Sequence, residues 1–590
     1  NDDDIAESCT NIGLIYTYTK QFEKAEEYFL KAKKIYEDGI GTNNNAYTIL
    51  LNNLGLMYWK QNRFSDAEKY YLSSLQLREK LNGKQHPGYV RGLNNLGAVY
   101  LGWHKPAQAK IYFEQAVALS EKKYGTNHYR NIVYLNNLAL CYNDLGNYAE
   151  AKKIILHTNQ LNSKQVKENF TILTEYEKEM YADEMVYNSK FANSILYNSK
   201  QYNKESVIDN FNQQLEIKGL VLNETKSLYN YVKNSTDTAI QKMFDRYSWL
   251  KTQIAKQYGA SVENRSKELS NWEDEVDILE KDLLRKSKKF TEQKKASEIN
   301  FYSLKNNLKE GEVIIEFAKF NLYNKGNTDS VMYVAYLITK NSEAPVFIPL
   351  FEEKQLQNIL NASGKTNQAM ASNLYRSTIT KNKSKANFGN DLYNLVWQPL
   401  EPYLKNAKKI HFAPIDKLNS IAFNALATDS TTYLIDKYQL IQYTSTRLIA
   451  TPLQQENKIN NIALFGNANF SLSQNIVNQY QQSSDSVVVK RSFNKDKANI
   501  ISWTALPGTA EEVKNISSIF NKKSIPQIVY TNTDATEENF KDLNNKSISV
   551  IHLATHGFFL PRINNTNTTV TEQHTTSYNT AYDPMLRSGI

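Results

Sequence analysis

Hydrophobic and polar positions along the first 160 residues recur with a period of 42. Asn11, Asn53, Asn95 and Asn137 fall at that interval, and Gly13, Gly55, Gly97 and Ala139 follow two residues later. Tyr16, Tyr58, Tyr100 and Tyr142 come next, then Ala25, Ala67, Ala109 and Ala151. Within each unit the apolar residues are spaced for two helices. The small residue lets the two helices approach, the tyrosine fills the space beside it, and the alanine sits where the second helix crosses the first. One such hairpin cannot cover its own apolar face, so the period predicts a stack of hairpins, an α-solenoid.

From about Glu168 to Lys294 Gly and Pro nearly vanish, and apolar residues keep helical spacing, as in Val207, Phe211, Leu215 and Leu222. Long helices are predicted, with Trp249, Leu250, Ile254 and Trp272, Val276, Leu279, Leu283 as core stripes. The charge-rich stretch Glu280 to Lys294 reads as a solvated face. After Asn300 the pattern changes to short β-branched runs at 313–320, 331–339, 346–350, 409–413, 438–443, 461–465, 527–530 and 547–554. Helices lie between some of them; Thr509 with Glu512, and Asp534 with Glu537, have the spacing of a capping box. Strands alternating with helices predict a mostly parallel sheet covered on both faces, with ligands and chemistry at the carboxyl ends of its strands. The chain therefore divides into a repeat array over 1–160, a helical connector or continued solenoid over 161–300, and an α/β domain over 301–590.

Composition narrows the function classes. With 21 Gly, 12 Pro and 41% hydrophobic residues, collagen-like, turn-dense all-β and disordered classes are excluded. The net charge of +9 is spread thinly, and the basic cluster Arg285, Lys286, Lys288, Lys289 is flanked by acids, so no direct nucleic-acid surface is predicted. Two distant cysteines, Cys9 and Cys141, supply neither a disulfide framework nor a zinc site. No run of 18 apolar residues spans a membrane, and the default location is the cytoplasm, with the cell envelope left open. Both ends read as cut.

Chemistry concentrates at one strand end. The run Val550-Ile551 to Leu553-Ala554 leads into Thr555-His556-Gly557. His556 leaves a buried strand for a cleft, and Gly557, without a Cβ, can turn its N–H toward a developing oxyanion. A histidine simply satisfied at a strand end is the alternative. His552 and His556 do not make a zinc pair, because i and i+4 on a strand lie roughly 13 Å apart and no HExxH glutamate accompanies them. FGNANF around Gly466 lacks both phosphate-loop patterns, so no nucleotide or other cofactor is predicted.

The strings NLGLMYWKQNRFSDAEKYYLSSL, NLGAVYLGWHKPAQAKIYFEQAV and NLALCYNDLGNYAEAKKI resemble tetratricopeptide repeats of the long kinesin-light-chain variety, with His86-Pro87, echoed by His128, in its extended turn. The resemblance implies a concave groove into which the Asn ladder points. An amide can pair with a peptide backbone of any sequence, which makes Asn11, Asn53, Asn95 and Asn137, beside Asn52, Asn94 and Asn136, candidate partner contacts. The other reading is that some of these asparagines cap or bridge helices.

IHLATHGFF, preceded by ALPGTAEEVKNISSIF and TDATEENFKDL and followed by YDPMLRSG, is similar to the caspase-like domain that accompanies such repeats, the CHAT domain; KKIHFAPIDKLNSIAFNAL and YLIDKYQLIQYTSTRLI resemble its middle strands. The resemblance implies a caspase-like α/β fold and a bacterial cysteine endopeptidase of the caspase/separase type, with a His–Cys dyad acting on a protein substrate. His556 and Gly557 match the histidine and the oxyanion donor. The nucleophile does not carry over, because in the family it follows a later strand. The chain is thus expected to be a C-terminally incomplete piece of an active protease; a pseudo-peptidase scaffold built on the repeats is the alternative. A protein partner in the repeat groove, an RNA-guided effector complex as activator, and a defence or cell-death role are further implications of the resemblance. The Asn/Thr-rich stretch 564–580 reads as a lid or specificity loop, or else a plain surface loop. Asp583 and Arg587 read as an internal ion pair or cap, or as substrate selectors.

Overall fold

The computed structural model describes residues 2–169, 191–218, 235–258, 265–291, 299–364, 388–450 except 430, 459–468, 508–555, 558–559 and 588–589, with a few isolated positions. They form two compact units, one made mainly of residues up to Thr451 and the other mainly of residues from Pro452 onward.

The first unit opens with four helix hairpins: α1 (Asp2–Tyr18) with α2 (Phe22–Ile35), α3 (Asn45–Lys60) with α4 (Phe64–Asn82), α5 (Pro87–Gly102) with α6 (Pro106–Tyr124), and α7 (Ile132–Asp144) with α8 (Tyr148–Asn169). The small residue of each unit has the expected cause: a Cβ on Gly13, Gly55 or Gly97 would lie 2.7, 2.9 or 2.5 Å from the ring of Phe29, Tyr71 or Phe113. Ala25, Ala67, Ala109 and Ala151 are fully buried. The period extends to backbone detail. Each hairpin turn closes with a bond from the same relative N–H to the tyrosine carbonyl, from Gln21 to Tyr16, Arg63 to Tyr58, Lys105 to Tyr100 and Asn147 to Tyr142, at 2.8–2.9 Å. The residue before each donor is left-handed: Lys20, Asn62 and His104 near φ +60°, and Gly146 at +74°. Asn44, His86 and His128, again 42 apart, accept at their side chains from Tyr47, Gly88 and Arg130 N–H, capping the helices that follow. Histidine thus replaces the usual short polar cap through Nδ1.

Beyond the array, Val207, Phe211 and Leu215 of the helix Lys204–Ile217 share a core with Ile314, Ala318, Val334 and Tyr336. That part of the connector is one covering layer of a five-stranded sheet. Trp249, read as core from its spacing, is 47% exposed; it stands against Trp272 with the Arg246 guanidinium over its ring. Helical spacing does not distinguish a packed stripe from a partly open one.

The five-stranded sheet has the order β3-β2-β1-β4-β5, from β1 (Glu312–Tyr323), β2 (Asn327–Thr339), β3 (Val346–Glu352), β4 (Lys409–Ala413) and β5 (Gln439–Gln442). β1, β2 and β3 pair antiparallel, whereas β1, β4 and β5 pair parallel. Both faces of β1 are buried, with Val313, Ile315 and Phe317 in one core and Ile314 and Ala318 in the other. The far end of β1 reaches the last repeat. Tyr323 donates its hydroxyl to Asp144 at 3.0 Å, its backbone is bonded by Ser194 and Asn198, and it shares a core with Leu138, Cys141 and Phe191.

The second unit has a three-stranded parallel sheet of order β7-β6-β8, from β6 (Ile462–Ala468), β7 (Gln527–Asn532) and β8 (Val550–Ala554). The helix Gly508–Lys522 covers one face through Val513, Ile516 and Phe520, and Leu543 packs on the other. All eight predicted strands are present. Thr509 lies inside its helix instead of before it, and the cap of Glu537–Lys541 is Thr536, two residues after Asp534, accepting from Asn539 N–H. Spacing alone does not distinguish which of two neighbouring oxygen-bearing residues caps the helix.

Candidate functional site

The candidate site is the carboxyl edge of the three-stranded sheet. Ile462-Ala463-Leu464-Phe465 is a continuous buried run, as a central parallel strand requires. β8 lies beside it with Ala554 opposite Gly466. Gly466 brings the helix Gly508–Lys522 onto this edge: a Cβ there would stand 2.5 Å from Val513 Cγ2 and 2.9 Å from the Thr509 carbonyl. The glycine that superficially suggests a phosphate loop is thus a close-approach residue for that helix. At the same edge Asn467 and Asn532 end β6 and β7 with φ of +52° and +54°. Asn467 donates its amide to Asn532 at 2.6 Å and its backbone N–H to Thr509 Oγ1 at 2.9 Å, so two strand ends and one helix start are fastened together.

β8 carries the chain to Thr555; His556 and Gly557 lie outside the described residues, as do the stretch 564–580, Asp583 and Arg587. β8 itself is less enclosed than its apolar run predicts. Among the described residues it pairs with β6 alone, beyond which lies β7, and Ile551 is 44% exposed. His552, on the strand four residues before His556, has its Nε2 3.0 Å from Glu512 Oε1 on the covering helix.

Cys9 and Cys141 are both buried in the array. Burial, reinforced by Asp144, pushes the Cys141 thiol up to about 12, and its Sγ donates to the Pro106 carbonyl at 3.0 Å. Such a group holds its proton and is a structural cysteine.

The Asn ladder occupies the first helix of each hairpin. Asn11 is exposed, Asn53 is buried, and Asn95 and Asn137 are half-buried. Asn95 donates its amide to Asn52 Oδ1 at 2.9 Å and Asn137 donates to Asn94 Oδ1 at 2.8 Å. One amide hydrogen of each is therefore committed to the preceding repeat.

Sequence reasoning missed a buried ion pair in the first unit. Lys218, just past the helix Lys204–Ile217, reaches Glu316 in mid-β1 at 2.5 Å and donates to the Ala413 carbonyl at 2.8 Å. Thr446 donates its N–H and its hydroxyl to the other Glu316 oxygen. Burial lowers the Lys218 pKa, and Glu316 partly offsets that. The partners are almost a hundred residues apart, and the one local signal is a glutamate inside the apolar run 313–318.

Family models match two parts of the chain. The tetratricopeptide repeat model matches residues 4–80 and 47–122, and a second model of that repeat matches 132–164. The CHAT domain model matches residues 386–580. β4, inside that match, pairs with β1 upstream of it, so the sheet extends beyond the matched segment. No curated protein matches the chain. Among solved structures, BtubC (BKLC) from P. vanneervenii is 20% identical with a TM-score of 0.27, the alignment covering 28% of this chain and 66% of that one, just under two thirds. A Podosopora anserina protein described as a kinesin light chain with nearly identical TPR-like repeats is 16% identical with a TM-score of 0.29, over 36% of this chain and 94% of the other. The chain thus carries tetratricopeptide repeats within residues 4–164 and a CHAT domain over 386–580, a TPR-CHAT architecture.

Proposed function

We propose that the protein is a partner-regulated cysteine endopeptidase in which His556 is the general base and Gly557 the oxyanion donor. In this reaction His556 takes the proton of a cysteine thiol and the thiolate attacks a peptide carbonyl. The Gly557 N–H then donates to the tetrahedral oxygen. The imidazolium returns its proton to the leaving amine, and water, deprotonated by the same ring, releases the acyl group. The observation that carries the reading is the match to a CHAT domain over 386–580, together with a parallel β8 that ends two residues before His556. Among the described residues the far edge of β8 carries no paired strand, which leaves a place for a further strand bearing the nucleophile.

Neither thiol of the 590 residues is suited to that role, because both lie in the array. A second reading is a peptide-binding scaffold with an inert peptidase domain. Reading the coding sequence past Ile590 separates the two. A Cys in a small-residue turn after an apolar strand supports the protease, and its absence overturns it. In the full-length protein, His556→Ala should abolish substrate cleavage in cells, and unchanged products would remove His556 as the base.

Regulation through the array is supported by the grip of the last repeat on β1 at Tyr323. The asparagines of the array, with the amide positions not spent between repeats, are proposed as contacts for a protein partner. A bacterial defence setting, an RNA-guided effector as activator and a cytoplasmic location follow from the resemblance alone. None of the described helices is long and apolar enough to cross a membrane.

A further inference from the structure

Two strands of the second unit end in the same unusual way. Asn467 on β6 and Asn532 on β7 are both left-handed. Asn467 is also a bulge: Gly466 pairs with Thr531 and Ala468 with Asn532, so one residue of β6 has no counterpart on β7. A bulge at a strand end re-aims the side chain it carries. Here it sets Asn467 Nδ2 2.6 Å from Asn532 Oδ1. The backbone conformation does not by itself call for an amide, since Lys20, His104, Lys200, Ser524 and Ser547 hold the same region of φ elsewhere in the chain. Two facing amides have a further cause.

Their place and their spare groups supply it. β6 is the central strand of its sheet, and on the side away from β7 it pairs with β8, Gly466 opposite Ala554. One residue further along come Asn467 and Thr555, the latter directly before His556 in the chain. The carboxyl ends of parallel strands are where such sheets hold their ligands. The bond between the two side chains uses one amide hydrogen of Asn467 and one lone pair of Asn532. Among the described residues, Asn467 Oδ1 and the two Asn532 Nδ2 hydrogens are left without a hydrogen-bond partner. Asn532 is exposed and Asn467 half-buried. Thr509 Oγ1, accepting from the Asn467 N–H at 2.9 Å, ties the pair to the covering helix, so its geometry is set before a ligand arrives. A donor and an acceptor fixed side by side match the C=O and N–H of an extended peptide, whatever its side chains.

We propose that Asn467 and Asn532 form a substrate-binding subsite that holds the main chain of the protein to be cut, Asn532 Nδ2 donating to a substrate carbonyl and Asn467 Oδ1 accepting a substrate N–H. The inference rests on the peptidase reading. It assigns binding, not chemistry, to the pair.

The test uses the full-length protein and a synthetic peptide spanning a site that it cleaves in a His556-dependent manner. Asn532→Gly keeps the left-handed backbone and removes the whole amide, whereas Asn532→Asp keeps the oxygen that accepts from Asn467 and removes the donors. Each should raise KM for the peptide about tenfold and lower kcat at most about twofold, without lowering the thermal midpoint. Replacing the substrate amide that meets Asn467 by an ester, found by scanning the peptide one bond at a time, should raise KM in the natural protein and have no further effect in Asn467→Gly. Unchanged KM in both Asn532 variants overturns the inference and leaves the peptidase reading standing. A drop in kcat and thermal midpoint at constant KM also overturns it, because the pair then only fastens the sheet edge. Absence of any His556-dependent product removes the peptidase reading and this inference together.

Discussion

At the scale of single residues, the 42-residue period fixes conformation as well as hydrophobicity. Lys20 occupies a left-handed turn position that Gly146 fills in the fourth repeat, and a side chain there costs about 1–2 kcal/mol. Lys20→Gly should therefore stabilise the array by about 1 kcal/mol, read as a rise in its denaturation midpoint. His86 is a helix cap, and His86→Ala should cost about 1 kcal/mol, whereas His86→Asn, which copies Asn44, should cost nothing measurable. Gly97→Ala presses a methyl into the Phe113 ring and should destabilise by about 1–3 kcal/mol despite alanine's better helix propensity. Pairing it with Phe113→Ile, the arrangement that Ala139 and Ile155 hold in the fourth repeat, should recover most of that loss.

At the scale of elements, buried charge decides what substitution and pH do. The Asp209 carboxyl, on the helix Lys204–Ile217 and bonded by Asn159 at 2.5 Å, is raised to about 7, chiefly by burial and then by the neighbouring Glu205 and Glu216. A carboxyl that keeps its proton longer when folded contributes most below the unfolded value near 4 and loses that contribution as pH rises through 7. Stability of this region should fall by about 4 kcal/mol from pH 4 to pH 8, and Asp209→Asn should flatten the slope in thermal melts across that range. Lys218→Met strands the Glu316 carboxylate and should cost about 3–5 kcal/mol, while Lys218→Met with Glu316→Leu should regain most of it. The elements themselves were legible in the chain: β-branched runs marked all eight strands, and the repeats kept register without a break. The helix Lys204–Ile217 read correctly as a helix, yet nothing local says that its Val207–Phe211–Leu215 stripe belongs to the sheet. Asp209 and Lys218 look like ordinary surface charges until distant chain closes over them. His556 is singled out by the Gly and the strand end that flank it, signals a local reading can use, and it lies outside the described residues.

At the scale of the whole molecule, β1 joins the repeats to the five-stranded sheet. Its middle pairs with β2 and β4, Glu316 receives Lys218 from the connector, and its last residue sits in the fourth repeat. If partner binding is transmitted along this strand, Tyr323→Ala should weaken partner-dependent cleavage severalfold while leaving partner affinity in place, measured as a split between activation and binding in the full-length enzyme. Loss of both together would assign Tyr323 a purely structural role.

The identity of the hairpins down to caps, turns and left-handed residues makes the array interchangeable in whole units. Excising residues 45–86 would leave Asn44 as the cap of the helix beginning at Pro87 and keep every later junction unchanged, whereas removing 41 residues would rotate each following helix by about 100°. Genes encoding such arrays can therefore gain or lose length by recombination between repeats in single steps, lengthening or shortening the array while the elements that follow it in the chain stay as they were.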